Sequence, residues 1–147
     1  MRAAGKDTVA RLLTSTHRRL FTISQGRIGG GLAGMPVLIL TTTGRKSGQP
    51  RETMLTSPLQ EDGRIVLVAS YGGDDRHPQW YLNLVEDPDV TVRINGSTKL
   101  MRARVASPTE KAELWDRVTS AYKGYAAYQQ RTERDIPLVI LESGVSG

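Results

Sequence analysis

The sequence predicts a mainly β domain of the α+β kind, an antiparallel barrel with helices attached, and three observations carry that prediction. Apolar runs of strand length recur along the chain, clusters of turn residues separate them at hairpin distance, and long crossover connections are few. The chain has 147 residues, 38% of them hydrophobic, which suits one domain over 1–147 with a sizeable core.

The first element is a helix expected over 7–25. Asp7 stands as its N-cap, and Val9, Leu12, Leu13, Thr16 and Leu20 share one stripe, away from Arg11, Arg18 and Arg19. That helix packs on the domain, or, as the alternative, touches a membrane or closes over a ligand. Residues 26–35 then form a Gly-rich linker. Gly29, Gly31 and Gly34 satisfy the spacing of a dinucleotide fingerprint, but a helix precedes them and a strand follows, the reverse of what that motif requires.

Strands are expected at Pro36 to Thr43, Arg51 to Leu59 and Arg64 to Tyr71, joined by GRKSGQP and QEDG as an antiparallel meander. The first and third are apolar on both faces, so they should be covered on both sides. DRHPQWYLNLVEDP reads as a short helix with Pro78 in its first turn and Asp87-Pro88 as its stop. Asn95-Gly96 is a strong two-residue hairpin signal between VTVRI and KLMRARV. Ser107 and Glu110 form a capping box with Pro108 at the first helical position, and the helix they open is interrupted at Gly124. YAAYQQRTERD continues as helix and PLVILE closes the series as a buried strand. The count is six strands.

Composition excludes several classes of chemistry. There is no cysteine, which removes disulfides, thiolate metal sites and a Cys nucleophile. His17 and His77 are the only histidines, too few for a His-rich zinc centre, and neither lies beside a nucleophile elbow. No signal peptide or long apolar span is seen near the start, so a cytoplasmic location is the expectation, with a peripheral position at the inner membrane face as the variant that the first helix would allow. The pairs Glu61-Asp62 and Asp74-Asp75 sit in turns, where solvated charge is the ordinary role. Reactivity is expected to come from a cofactor.

Charge is where the sequence points to a partner. From Met1 to Arg51 there are nine Lys or Arg against the single acid Asp7, and the remainder of the chain is net acidic. Arg45, Lys46 and Arg51 fall on one hairpin whose Gly44, Ser47 and Gly48 leave backbone N–H groups accessible, a composition suited to phosphate. A nucleic-acid-binding barrel is disfavoured, because aromatics are 5% of the chain and cluster far from the basic hairpin.

Three long segments, LTTTGRKSGQPR, VASYGGDDRHPQWYLNL and AYKGYAAYQQRTERDIPLVILE, resemble the deazaflavin-dependent nitroreductase and quinone reductase family of actinobacteria. The likeness runs from about Gly26 to Glu142 with the motifs in order. It implies a split β-barrel of FMN-binding type and a reductase that uses reduced coenzyme F420, with FMN as the alternative cofactor. By the resemblance, Arg45, Lys46, Ser47 and Arg51 would grip the cofactor's phosphate and acidic tail. Thr53, Met54, Leu55 and Thr56 would line the ring. Val68, Ala69, Ser70 and Tyr71 would approach from the next strand, and Gln79, Trp80, Tyr81, Leu82 and Asn83 from the short helix.

Tyr122, Tyr125 and Tyr128 match the family's substrate-side tyrosines, with Tyr125 also near the cofactor and Trp80 completing the pocket wall. Hydride transfer to a quinone, an enone, an unsaturated lactone or a nitro compound would leave a proton to be supplied by Tyr125, Tyr128, Ser70 or water. Two positions depart from the nitroreductase pattern: Tyr71 stands where those members have Lys, and Thr56 where they have a tyrosine. The readings set against a reductase are an FMN-binding barrel and a cofactor-binding protein without turnover. No metal site is expected.

Overall fold

The computed structural model describes residues 34–143. The helix expected over 7–25, and the linker before residue 34, lie outside the described residues. Seven strands follow in chain order: β1 (Val37–Thr43), β2 (Pro50–Thr56), β3 (Leu59–Glu61), β4 (Arg64–Val68), β5 (Asp89–Ile94), β6 (Ser97–Val105) and β7 (Leu138–Ser143). Between β4 and β5 come a single 3-10 turn (Tyr71–Gly73) and helix α1 (Gln79–Glu86); between β6 and β7 come α2 (Pro108–Ala121) and α3 (Gly124–Gln130).

The sheet order is β2-β1-β5-β6-β7-β4-β3, with every pairing antiparallel. Its two end strands, β2 and β3, are consecutive in sequence and joined by Ser57-Pro58 alone, so three peptide links of about 3.8 Å each bring opposite edges within roughly 11 Å. A sheet whose edges are tied together in this way is a barrel left open along one seam.

Alternation along the strands explains their double burial. Ile65 and Leu67 of β4, with Val139 and Leu141 of β7, face the barrel interior alongside Leu38, Leu40, Val90 and Val92, where Trp80 and Leu84 of α1 plug one end. Val66 and Val68, with Leu138 and Ile140, face outward under Val118 of α2 and Tyr125 of α3. Each such side chain removed from water contributes roughly 1.5–3 kcal/mol before chain entropy is counted. The apolar runs are therefore continuous because both faces are covered, as the sequence led one to expect.

The meander is corrected. The segment Arg51 to Leu59 is two strands, not one, because Ser57 is fully buried and leaves β1. Its N–H donates to the Pro36 carbonyl at 3.1 Å. Its hydroxyl lies 2.7 Å from the Val66 carbonyl and 3.0 Å from that of Leu59, and Pro58 has no N–H to continue a ladder. The chain thus steps across the seam and pairs Leu59 with Val66. The strand expected to reach Tyr71 also ends early, at Val68, since Tyr71 adopts φ 47° and enters the 3-10 turn. The last helical stretch stops at Gln130, well before Asp135.

Local signals were realised where a backbone requirement is strict. Asn95 and Gly96 take φ of 52° and 77°, as a tight hairpin of the primed kind needs. In the capping box the Glu110 N–H donates to Ser107 Oγ at 3.1 Å, and the Ser107 N–H to Glu110 Oε1 at 2.9 Å. Pro78 stands at the N-cap of α1, one place before the helix.

Candidate active site

The basic hairpin between β1 and β2 closes on itself through Gly44 N–H to the Gln49 carbonyl and Gly48 N–H to the Gly44 carbonyl, both 2.8 Å. A Cβ on Gly44 would lie 2.7 Å from Ser47 Oγ and 3.2 Å from the Gln49 carbonyl, so glycine lets the serine hydroxyl fold back over the loop without displacement. Ser47 Oγ accepts from Arg51 Nη2 and from the Gln49 N–H, both at 3.1 Å.

Arg45 is held from the other side, by α1. Its Nη1 donates to Asn83 Oδ1 at 2.9 Å, its backbone N–H to the same oxygen at 3.2 Å, and its Nη2 to Gln79 Oε1 at 2.9 Å. Lys46 is exposed and makes no side-chain bond to a described residue. Among the described residues no carboxylate pairs with Arg45, Lys46 or Arg51. Three full positive charges therefore share one loop, two of them fixed in place by neutral oxygens.

β2 runs away from this loop as an edge strand among the described residues, pairing only with β1. From Arg51 to Thr56 it covers about 17 Å at the usual strand rise. Leu55 packs toward the barrel interior. Thr56 reaches Tyr125, whose hydroxyl proton is held more tightly than usual by burial, an effect that the Thr56 hydroxyl opposes.

Tyr122, Tyr125 and Tyr128 converge. The rings of Tyr122 and Tyr125 meet edge to face at 5.0 Å between centroids, Tyr128 lies 6.2 and 6.3 Å from the other two, and the hydroxyls of Tyr122 and Tyr128 are 3.2 Å apart. Spacing of three on an unbroken helix would spread them. They gather because α2 ends at Tyr122, which turns extended with φ −152°, and α3 restarts at Gly124. A Cβ on Gly124 would fall 2.4 Å from the Tyr122 ring. Tyr125 is buried, with its hydroxyl 3.7 Å from Met35 Sδ, whereas Tyr128 is half-buried. The hydrogen bond to Tyr122, and then burial, hold the Tyr128 proton above the ordinary phenol range.

Between hairpin and tyrosines lies a joint that the sequence did not reveal. The guanidinium of Arg134 donates through Nη2 to the carbonyls of Ser70 (2.8 Å) and Ala69 (3.2 Å), through Nε to that of Asp74 (2.8 Å), and approaches His77 Nδ1 at 3.2 Å. An arginine can only donate, so His77 Nδ1 is the acceptor and Nε2 carries the proton. Burial first, and the Arg134 charge second, hold His77 below its usual range and therefore neutral at pH 7. Its ring packs against that of Tyr81, tilted by 35° with the centroids 4.7 Å apart. No local pattern in RTERDIP marks Arg134, because all of its partners are distant in sequence.

Val68 packs in the same outer cluster as Tyr125, and Ala69 lies in the barrel core. Ser70 is buried beside the Arg134 joint. Tyr71 lies under the Arg76 guanidinium, 5.5 Å from its ring centroid. Thr53, Met54 and Leu82 are half-buried on β2 and α1. Trp80 is 7% exposed and sits in the barrel core. Thr42, not singled out in the sequence, is buried under the hairpin, where its Oγ1 accepts from Asn83 Nδ2 at 3.2 Å. No group of three or more metal-ligating side chains occurs among the described residues.

A seven-stranded antiparallel barrel open at one seam, with a basic hairpin and an aromatic cluster at the ends of an edge strand, defines the class of split β-barrels of FMN-binding type. A Clostridium acetobutylicum protein of the pyridoxine phosphate oxidase family has this fold at 11% identity, with a TM-score of 0.52 over 84% of this chain and 83% of that one. More narrowly, the chain belongs to the F420H(2)-dependent quinone reductase family, whose model matches residues 10–143. It is 39% identical over 133 residues to an F420H(2)-dependent quinone reductase of Mycobacterium tuberculosis, covering 88% of this chain and 89% of that protein. The solved F420-H2 dependent reductase FDR-A is 39% identical, with a TM-score of 0.66 over 73% of this chain and 94% of that one. The protein is thus an oxidoreductase with reduced coenzyme F420 as its hydride donor.

Proposed function

We propose that the protein reduces quinones, with the coenzyme's anionic tail on Arg45, Lys46, Ser47 and Arg51 and its ring along Thr53 to Thr56. The observation that carries this reading is the set of three cations on one loop with no described carboxylate to neutralise them. Holding like charges together costs free energy that an anion returns. Among the described residues β2 pairs only with β1, so its other side adds backbone N–H and C=O groups suited to the heteroatoms of a deazaflavin ring. The residues present therefore fit the coenzyme at both ends.

When bound, the coenzyme supplies a hydride. The chain's part is to orient the acceptor, exclude water and deliver a proton. Tyr122 and Tyr128 offer hydroxyls at the partly open side of the aromatic cluster, and the raised proton affinity of Tyr128 keeps it protonated at neutral pH as a donor. Ser70, whose hydroxyl has no partner among the described residues, and Tyr125 are the other candidates. Enones, unsaturated lactones and nitro compounds are further acceptors that the same hydride and proton would reduce.

The single-domain reading takes in residues 1–147, and the basic segment 7–25 would, in this reading, meet an anionic membrane where lipid-soluble quinones reside. Among the described residues no helix is long and apolar enough to cross a membrane. Steady oxidation of the reduced coenzyme on adding menadione, compared with an enone lactone and a nitroimidazole, tests the substrate. Coenzyme binding without turnover of any acceptor would leave a carrier and reject the reductase reading. Co-sedimentation with phosphatidylglycerol vesicles, lost on deleting residues 1–25, tests the membrane contact.

A further inference from the structure

We infer that Thr42 is a positioning residue for the anion site, acting through Asn83 on Arg45; this rests on the proposed placement of the coenzyme's tail at the hairpin. Asn83 has one amide oxygen and one amide nitrogen, and it is buried, with 5% of its surface exposed. The oxygen accepts twice from Arg45, once from the guanidinium and once from the backbone N–H. The nitrogen must then find an acceptor on its other side, and Thr42 Oγ1 at 3.2 Å is that acceptor. Thr42 is itself 2% exposed, on the inward-facing row of β1 with Leu38 and Leu40, so water does not readily take its place.

The three residues form a relay with one consistent sense. If the Thr42 hydroxyl is lost, keeping Asn83 Oδ1 on Arg45 leaves a buried N–H unsatisfied. The amide then turns or swings away, and Arg45 loses two acceptors at once. Of the five guanidinium donors, one goes to Asn83 and one to Gln79. The others are left to an incoming anion, presented by a side chain that has already surrendered its rotamer freedom. An unheld arginine must give up that freedom on binding, which weakens affinity by about tenfold for one long side chain.

The test is made on the full chain, with affinity for oxidised coenzyme F420 read by quenching of its fluorescence. Thr42→Val removes the hydroxyl at nearly constant volume. It should raise Kd about tenfold, with the loss falling on KM for the coenzyme rather than on kcat, and Thr42→Ser should restore binding. Asn83→Ala, which removes the relay at a second position, should reproduce the loss. In an Arg45→Ala background, Thr42→Val should add nothing further, which a merely structural role for Thr42 would not predict. Equal binding by wild type and Thr42→Val, or an equal penalty with and without Arg45, overturns the inference while leaving the hairpin as the anion site. Unchanged binding by Arg45→Ala overturns the hairpin assignment itself.

Discussion

The Arg134 guanidinium donates to the Ser70 carbonyl at 2.8 Å, and that contact ties the segment after α3 to the end of β4. The same group also holds the carbonyls of Ala69 and Asp74, so Arg134→Ala would take a donor from three backbone acceptors in a partly buried joint, of which the Ser70 carbonyl keeps another, the Gly73 N–H at 2.9 Å. A loss of about 1–3 kcal/mol is expected, seen as a lower midpoint in urea denaturation. Arg134→Lys should recover only part of it, since a single ammonium cannot reproduce the planar fork. Full stability in Arg134→Ala would show that the joint contributes nothing.

Arg45→Ala and Lys46→Ala together should weaken coenzyme binding by about 3 kcal/mol, roughly 150-fold, as two charge-assisted hydrogen bonds would. Because Lys46 is exposed, its share should shrink as salt is raised from 50 to 500 mM, whereas the share of the partly buried Arg45 should persist. Titration of coenzyme fluorescence at the two ionic strengths checks both statements.

Gly73 has φ 84°, and a Cβ there would lie 2.8 Å from the Tyr128 carbonyl and 3.0 Å from Arg131 Cβ. Gly73→Ala should therefore destabilise by more than about 1 kcal/mol and push α3 outward. Thermal melting reads the first effect, and a change in tyrosine near-UV circular dichroism reads the second.

The Tyr128 hydroxyl is the expected proton donor, and Tyr128→Phe should lower kcat by about a hundredfold with little change in coenzyme affinity. Its proton affinity is raised, so in the wild type any loss of activity through this group should appear only as pH climbs above about 10. Tyr125→Phe, whose hydroxyl faces Met35 inside the outer cluster, should chiefly affect stability. A pH profile of kcat for the two variants separates these roles, and an unaltered Tyr128→Phe profile would return the task to Tyr125, Ser70 or water.

Glu110 is pulled down to about 2, first by the Arg104 guanidinium and then by the Ser107 backbone N–H. Its folded value lies below its unfolded one, so its stabilisation is present above the unfolded value and disappears as pH falls toward the folded one. Solvent at this partly exposed pair limits the effect to about 1 kcal/mol. Wild type should lose thermal stability between about pH 5 and pH 2 more steeply than Glu110→Gln, which keeps the capping geometry without the charge.

What the sequence made legible was whatever a local backbone rule or a dense motif enforces. Asn95-Gly96 and the Ser107 box were readable because few other conformations satisfy those residues, and the hairpin cations because three of them in one loop is an electrostatic anomaly. The break at Ser57 was not readable, since its cause is a hydroxyl paired with the Val66 carbonyl across the seam. Arg134 and Thr42 were hidden for the same reason: their partners are far away in sequence. Trp80 is buried in the barrel core, a setting that its position in the motif did not disclose. The tyrosine cluster was half visible, because Gly124 signalled an interruption without saying that the rings would converge there.

The placement of β7 bears on how the protein is made. Leu138–Ser143 lies between β6 and β4, bridging the set β2-β1-β5-β6 to the pair β4-β3. During synthesis the ribosome delivers these two groups of strands well before the piece that unites them. The domain therefore cannot complete its sheet while residue 143 is still inside the exit tunnel, and a nascent chain stalled earlier exposes two unsatisfied sheet edges to whatever chaperone is nearby.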